Sequence, residues 1–284
     1  MGRRVIAGLA LAALIAAPSA TPQIVVGQTI VRTAELRPGA TRSLVVSCPS
    51  GYFAISAGVY RAVNGANTLS IRSSSLRAFA FRLGNPPANP GGRVAVAAAC
   101  RRIRARGGVP YLKLKTLKPV TVRVGPSGQR QVHLACPPKM VPAAAGFDLG
   151  RAGSTLALQS QTQTLRTFTF EVLNRGTAAR TVSFHGSCLT LVRPAGARAE
   201  QLQVRVATAS VPLHAGSQLV IKSCPRGWLS LAAGYSLPPR VTLNGATATL
   251  RQGRWSVTSK PGSPELATFE LVCSRLTGSS KFFQ

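Results

Sequence analysis

The stretch SCPSGYFAISAG, residues 47–58, recurs twice more in this chain of 284 residues. Its counterparts are ACPPKMVPAAAG at 135–146 and SCPRGWLSLAAG at 223–234, so the three copies begin 88 residues apart. In each copy a cysteine precedes a proline, and a glycine that follows an alanine ends the stretch. A fixed period of this length indicates three copies of one structural unit, because an enzyme does not need three equivalent nucleophilic cysteines.

A second set of cysteines follows the same period. Cys100, Cys188 and Cys273 are 88 and 85 residues apart, and each ends an alternating run: VAVAAAC, VSFHGSC or ATFELVC. The first two units also share the segments LRAFAFRLGN and LRTFTFEVLN. We therefore divide the chain into repeat one (24–111), repeat two (112–199) and repeat three (200–284).

Alternation of apolar and polar residues, interrupted by Gly, Pro and Asn every eight to twelve residues, is typical of antiparallel strands. We predict an all-β chain of three tandem β-sandwich repeats, each with about six to eight strands, and keep a closed barrel as the alternative. The predicted repeats resemble immunoglobulin domains in sandwich architecture only. The repeats lack the core Trp of a true immunoglobulin domain, and they lack the Tyr two residues before the second cysteine.

The first residues predict export. Two arginines, Arg3 and Arg4, precede an apolar run from Val5 to Ala17, and small residues suited to cleavage follow. This pattern predicts a signal peptide over residues 1–20 and a secreted, extracellular or cell-envelope protein. The apolar run is too short to span a bilayer comfortably, and no longer one follows, so we expect no transmembrane segment.

Six cysteines in an exported chain predict disulfides. Of the fifteen possible connectivities, we favour the one within each repeat, because each repeat is expected to fold as a unit. The predicted pairs are Cys48–Cys100, Cys136–Cys188 and Cys224–Cys273. Closing a loop of about 52 residues contributes on the order of 4 kcal/mol in the chain-entropy model.

The charge balance points to anionic partners. The chain has 35 Lys and Arg against six Asp and Glu, a net charge of +29, and its densest basic region is 101–130. Candidate partners are anionic envelope polymers, lipopolysaccharide, acidic glycans and extracellular DNA. We expect no specific nucleic-acid recognition, because aromatic residues for base stacking are missing from the region apart from Tyr111. The candidate polyanion-binding residues are Arg101, Arg102, Arg104, Arg106, Lys113, Lys115 and Lys118.

A structural explanation of the same charge stays open. In YLKLK, residues 111–115, lysines alternate with leucines as on the solvent face of a half-buried strand, and lysines on edge strands discourage aggregation. The junction of repeats two and three is much less basic, so the charge is not a repeated feature.

Catalytic signals are missing from the sequence. The acids, of which Asp148 is the one aspartate, are scattered and not shared between repeats, and the three histidines are scattered too. We find no nucleophile elbow, phosphate-binding loop or HExxH zinc motif, and no Cys-x-x-Cys pair. We therefore predict no catalytic residue, no metal and no cofactor, with a secreted hydrolase as the remaining alternative. The few carboxylates also predict a fold that tolerates low pH.

The residues Cys48-Pro49-Ser50-Gly51, Gly58, Phe79, Asn85 and Cys100, with their counterparts, form a pattern. It resembles repeats common in secreted proteins of actinobacteria and related lineages. The resemblance covers nearly all of the mature chain, is structural, and implies no particular activity. Two positions depart from it: Lys139 replaces the motif glycine, and repeat three lacks the Asn near Lys260.

The pair after each turn varies between repeats: Tyr52-Phe53, Met140-Val141 and Trp228-Leu229. If exposed, these pairs are where the copies differ in partner; if buried, each stretch only fastens the fold. The sequence as a whole favours a secreted, non-enzymatic binding or structural protein of the cell surface or envelope. A polyanion-binding protein that uses 101–130 is the alternative.

Overall fold

A computed structural model describes residues 27–63, 66–102, 111–150, 155–192, 195, 201–249 and 251–277. These ranges contain strands and turns and no helix, which confirms the all-β prediction. The predicted signal peptide, residues 1–20, lies outside them.

The repeats share one succession of strands, six in repeats one and three and seven in repeat two. Repeat one contains β1 (Gly27–Leu36), β2 (Thr41–Ser47), β3 (Tyr52–Val63), β4 (Asn67–Ser75), β5 (Ala78–Gly84) and β6 (Gly92–Arg102). Repeat two contains β7 (Tyr111–Thr116), β8 (Val120–Val124), β9 (Gln129–Ala135), β10 (Val141–Asp148), β11 (Leu156–Gln163), β12 (Thr167–Asn174) and β13 (Arg180–Val192). Repeat three contains β14 (Gln201–Leu213), β15 (Gly216–Ser223), β16 (Leu229–Ser236), β17 (Val241–Ala248), β18 (Gln252–Ser259) and β19 (Glu265–Thr277).

The extra strand of repeat two is the first strand divided in two. Both β7 and β8 pair with β13, as the undivided β1 and β14 pair with β6 and β19. Pro119 lies in the gap, and because proline has no backbone N–H it cannot donate to a strand ladder.

Within each repeat, two antiparallel half-sheets pack face to face as a sandwich. In repeat one the inner half-sheet is β1-β6-β3 and the outer half-sheet is β2-β5-β4. Aromatic side chains such as Phe79, Phe81 and Trp255, at alternate positions of β5 and β18, fill the space between the halves. The structure thus confirms the predicted β-sandwich repeats.

The three disulfides form as predicted, between Cys48 and Cys100, Cys136 and Cys188, and Cys224 and Cys273. In repeat one, Cys48 follows outer strand β2 and Cys100 lies on inner strand β6, and the other pairs are placed alike. Each bond therefore joins the two half-sheets of one sandwich.

The sheets do not stop at the repeat boundaries. The outer half-sheet of repeat one continues through β4 and β10 into the inner half-sheet of repeat two, and β11 joins repeat two to β16 of repeat three. The pairing of β17 with β3 returns from repeat three to repeat one and closes a ring. Three continuous sheets therefore surround a pseudo-threefold axis, and every sheet contains strands of two repeats.

The inner half-sheets meet in a second core, which we call the axial core. Its buried members are Ile55, Ala99, Ala143, Leu189, Leu231, Ala232 and Val272, all from inner strands. A β-bulge interrupts β3, β10 and β16 at the same place, and the three bulged residues are Ile55, Ala143 and Leu231. Strands β10 and β16 of these half-sheets are buried on both faces and therefore consist of runs of small and apolar residues.

The glycine of the repeated stretch lies where the repeats join. A Cβ atom added to Gly58 would lie 2.1 Å from the carbonyl oxygen of Ala246, in repeat three. The same atom would lie 2.4 Å from the Ile71 oxygen at Gly146, and 2.7 Å from the Gln161 oxygen at Gly234. Glycine recurs with the period of 88 because each repeat contacts its neighbour at this position, and only glycine lets the neighbouring backbone approach this closely.

Candidate functional site

The ring has two distinct ends. At one end, the disulfide end, lie the Cys-Pro turns between the second and third strands and the turns between the fourth and fifth strands of each repeat. The loop end, opposite, carries the connections between first and second strands and between fifth and sixth strands. The chain passes from one repeat to the next at the disulfide end, because the sixth strand ends there and the next repeat begins there.

The Cys-Pro turn has one geometry in all three repeats. The amide of Tyr52, Met140 or Trp228 donates to the carbonyl of the proline three residues before it, at 3.0–3.1 Å. The third residue of each turn has a positive φ: 78° at Gly51, 63° at Lys139 and 80° at Gly227. Lys139 therefore adopts a left-handed conformation that both other repeats assign to glycine.

The variable pair after the turn is not free for a partner. Met140, Trp228 and Leu229 are buried, and Tyr52 and Phe53 are half-buried. The indole ring of Trp228 has the guanidinium carbons of Arg205 and Arg275 at 5.1 and 4.8 Å from its centroid. Repeat three is therefore the buried case considered above, in which the stretch only fastens the fold, whereas Tyr52, Phe53 and Val141 keep part of their surface exposed.

Three lysines of repeat two meet at the disulfide end, and we call them the lysine cluster: Lys113, Lys115 and Lys139. Lys113 lies on β7 opposite Thr190, whose hydroxyl donates to the backbone oxygen of Lys139 at 2.9 Å. Lys115 lies two residues further along β7, and all three side chains are exposed. Leu114, between them, packs against the axial core, so the strand has the half-buried alternation expected from YLKLK.

The other repeats do not build this cluster. Gly51 and Gly227 occupy the turn position of Lys139. By register against the closing cysteine, Gln203 is the repeat-three counterpart of Lys113 and Arg205 that of Lys115, so repeat three keeps one of the three cations. Sequence reasoning found Lys113 and Lys115 but missed Lys139, which is outside the basic region 101–130. The available signal was the departure from glycine at that one position.

Arg101 does not lie with the lysine cluster. Its side chain is 3% exposed, and its Nη2 donates to the backbone oxygen of Ser230, in repeat three, at 3.1 Å. Burial lowers the pKa of Arg101 to about 10. Its alternation on β6 places it on the same face as Ala99, toward the axial core. The prediction that Arg101 binds a surface polyanion is therefore wrong, because a polymer in solution cannot reach it.

The remaining candidates are divided. Lys118 is exposed in the connection between β7 and β8, three residues after Lys115. The side chain of Arg102 and all of Arg104 and Arg106 lie outside the described residues.

The described carboxylates lie away from the disulfide end. Among the described acids, Glu35, Asp148 and Glu265 lie near the loop end, and Glu171 and Glu270 lie within their strands. No described acid lies at the disulfide end, where the exposed cations include Arg77, Lys113, Lys115, Lys139, Arg166, Arg226, Arg251 and Arg275. The described part of this end therefore has charge of one sign.

The junction of repeats one and two holds a second polar group. Asp148 forms ion pairs with Arg72 and, at 2.8 Å, with Arg82. Next to it, burial and the charge of Arg72 lower the pKa of His185. A cavity of about 30 Å³ adjoins His185 and has room for about two water molecules. This arrangement joins two repeats by charge.

In the ranges the structure describes, no three His, Cys, Asp or Glu side chains cluster as metal ligands would.

The motif asparagines hold loops. Asn174 is fully buried, and its Nδ2 donates to the carbonyls of Gly125 and Ala178, each at 2.8 Å. Asn85 donates to Leu36 and Pro90 in the same way. These side chains tie the loops of the loop end together, so the repeated Asn is part of the fold and not of a ligand site.

Comparison with protein-family models and with curated proteins gives no match for this chain. None of the described residues forms a helix with the length and hydropathy needed to cross a bilayer. The three formed disulfides are those of a protein that folds in an oxidising environment.

Proposed function

We propose that this is a secreted, non-enzymatic protein of the cell surface or envelope, which binds an anionic polymer through the lysine cluster. The observation that carries the proposal is the convergence of three exposed lysines, from β7 and the Cys-Pro turn of repeat two, around the end of β13. Three amines on a rigid strand and turn suit a chain of phosphate, sulfate or carboxylate groups.

The backbone of Lys139 supports a role beyond folding. A non-glycine residue in the left-handed region costs on the order of 1 kcal/mol, and the other two repeats avoid this cost with glycine. Backbone strain retained at one copy of a repeated turn is typical of a position that serves binding.

The distribution of charged side chains between the two ends supports the disulfide end as the binding surface. A polyanion that approaches the disulfide end meets exposed cations and none of the described carboxylates. The loop end also exposes cations, such as Arg37, Arg93 and Arg180, but Glu35 and Glu265 lie among them and oppose a polyanion there.

The test measures retention and affinity of the mature, disulfide-bonded protein on long-chain polyphosphate and on a sulfated polysaccharide, as a function of salt. The variant Lys113→Gln/Lys115→Gln/Lys139→Gln should weaken binding at low salt by on the order of tenfold or more and flatten its salt dependence. The control Arg37→Gln/Arg93→Gln/Arg180→Gln removes the same charge from exposed positions of the loop end and should change affinity far less.

Equal losses in the two variants would show that net charge alone governs binding, and the lysine cluster would then have no special role. Absence of retention of the wild-type protein at low salt would exclude the proposed function itself.

A further inference from the structure

The sequence has the same dipeptide between the fourth and fifth strands of every repeat. It is Leu76-Arg77 in repeat one, Leu165-Arg166 in repeat two and Leu250-Arg251 in repeat three, where Leu250 lies outside the described residues. Leu76 is 49% exposed and Leu165 is 51% exposed. The arginines are exposed as well. We call these turns the Leu-Arg tips.

The tips are held rigidly. The backbone oxygen of Arg77 accepts a hydrogen bond from the amide of Cys48 at 2.7 Å, and the oxygens of Arg166 and Arg251 accept from Cys136 and Cys224 at 2.8 and 2.7 Å. Each tip is therefore attached to a disulfide, which joins the two half-sheets. Because this hydrogen bond already orders the backbone of the tip, the tip loses little conformational entropy when it binds.

Ring closure aims the tips in one direction. The fourth strand of every repeat runs from the loop end to the disulfide end. Leu76, Leu165 and the three tip arginines therefore lie around the pseudo-threefold axis at the end without described carboxylates. A soluble polyanion binds the arginines but makes no favourable contact with half-exposed leucines. A lipid surface, which has anionic headgroups above an apolar interior, binds both the arginines and the leucines.

We propose that the disulfide end docks on an anionic lipid bilayer, with Leu76 and Leu165 inserted below the headgroups and Arg77, Arg166 and Arg251 on the lipid phosphates. The inference rests on the proposed function in that it uses the same cationic end, and it adds an apolar contact that polymer binding does not need. Lysines of the lysine cluster then lie beside the same headgroups.

The test is cosedimentation of the mature protein with vesicles of phosphatidylglycerol and phosphatidylcholine, with pure phosphatidylcholine vesicles for comparison. The variant Leu76→Ser/Leu165→Ser should lower the partition onto the anionic vesicles by on the order of tenfold. The control Leu219→Ser/Leu266→Ser removes two leucines that are 55% and 65% exposed, on the side of the ring and at the loop end, and should bind as the wild type does.

The same variants are measured on polyphosphate. Leu76→Ser/Leu165→Ser should bind polyphosphate unchanged, whereas Arg77→Ser/Arg166→Ser/Arg251→Ser should lose affinity for both vesicles and polyphosphate. Because the leucines are half-exposed, the serine variant should keep the wild-type thermal unfolding midpoint, which shows that a loss of partition is not a loss of fold.

The outcomes separate the two proposals. Polyphosphate binding with no vesicle binding, or vesicle binding unaffected by the leucine change, overturns the lipid inference and leaves the proposed function standing. Vesicle binding without polyphosphate binding overturns the polymer and keeps the lipid. Failure to bind either ligand at low salt overturns both.

Discussion

Replacing Gly58 by alanine should open the ring at its closing contact. The added methyl group would lie 2.1 Å from the Ala246 oxygen and 3.0 Å from the Thr247 Cα, both backbone atoms of β17. A carbon and an oxygen that do not bond stay more than 3 Å apart, so β17 must move away by about 1 Å. The bridge between Val59 and Ala246, which joins repeat three to repeat one, cannot keep its geometry after that shift.

The cost follows from two terms. Forcing an extra carbon into a packed site costs about 1–3 kcal/mol, and each backbone hydrogen bond lost at the bridge costs about 1 kcal/mol more. With one or two such bonds lost, we expect Gly58→Ala to lower the free energy of unfolding by about 2–5 kcal/mol. Gly146→Ala and Gly234→Ala should cost progressively less, because the carbonyl oxygens at those junctions lie 2.4 and 2.7 Å from the added atom.

The assay is denaturant unfolding of the oxidised protein, with amide hydrogen exchange of β3 and β17 as the local measurement. Gly125→Ala is the matched control: Gly125 has nothing within 4 Å of an added Cβ, so the change should be neutral. Unchanged stability and unchanged protection of β17 in Gly58→Ala would refute the ring closure.

Three further substitutions test other features. Lys139→Gly should raise the free energy of unfolding by about 1 kcal/mol, because it relieves the positive φ, while it weakens polyphosphate binding; a loss of stability would contradict the strain argument. Asn174→Ala should cost about 2–3 kcal/mol in denaturant unfolding, because it removes three hydrogen bonds, one of them to the buried carbonyl of Val124, and a cost near zero would show that the loops hold without it. His185→Ala restores the residue of Ala97, its repeat-one counterpart. The pKa of His185 is lowered from its ordinary 6.5, so its contribution to stability is lost as the pH falls below that value. The alanine variant should therefore lose less stability than the wild type between pH 7 and pH 5, as followed by thermal unfolding.

Acid stability remains a prediction, and the structure supplies groups that act in opposite directions. Protonation of Asp148 breaks the ion pairs with Arg72 and Arg82. Burial raises the pKa of Glu270, so its protonation on acidification relieves the cost of a buried charge and favours the folded state. Among the described residues Asp148 is the one carboxylate in an ion pair, which keeps the acid-labile part of the fold small.

The disulfide pairing was predictable, although the reason given for it was incomplete. The pairing within each repeat was inferred because each repeat was expected to fold as a unit. Cys48 and Cys100 do join the two halves of one sandwich, yet those halves belong to two sheets that each extend into a neighbouring repeat. The repeats are therefore structural copies that complete one another, and spacing along the chain cannot distinguish that arrangement from independent domains.

The candidate site was predictable only in part. Lys113 and Lys115 were exposed as their alternation with leucine indicates, since one face of a half-buried strand meets water. Arg101 has the same composition signal but lies on β6 at a position that ring closure buries. Lys139 joins the lysine cluster through a turn of another strand, a contact that depends on sheet register and not on sequence distance.

The period of 88, the strand class and the three disulfides follow from the sequence, because each depends on spacing or alternation within one repeat. The closed ring shows in addition that Gly58, Gly146 and Gly234 mark the junctions, that Arg101 faces the axial core, and that the Leu-Arg tips lie at one end. The physical reason is that ring closure depends on a few strand pairs, such as Val59 with Ala246, between residues far apart in the chain. Local patterns specify which residues form strands. Which strand pairs with an edge strand of another repeat depends on how the whole ring packs.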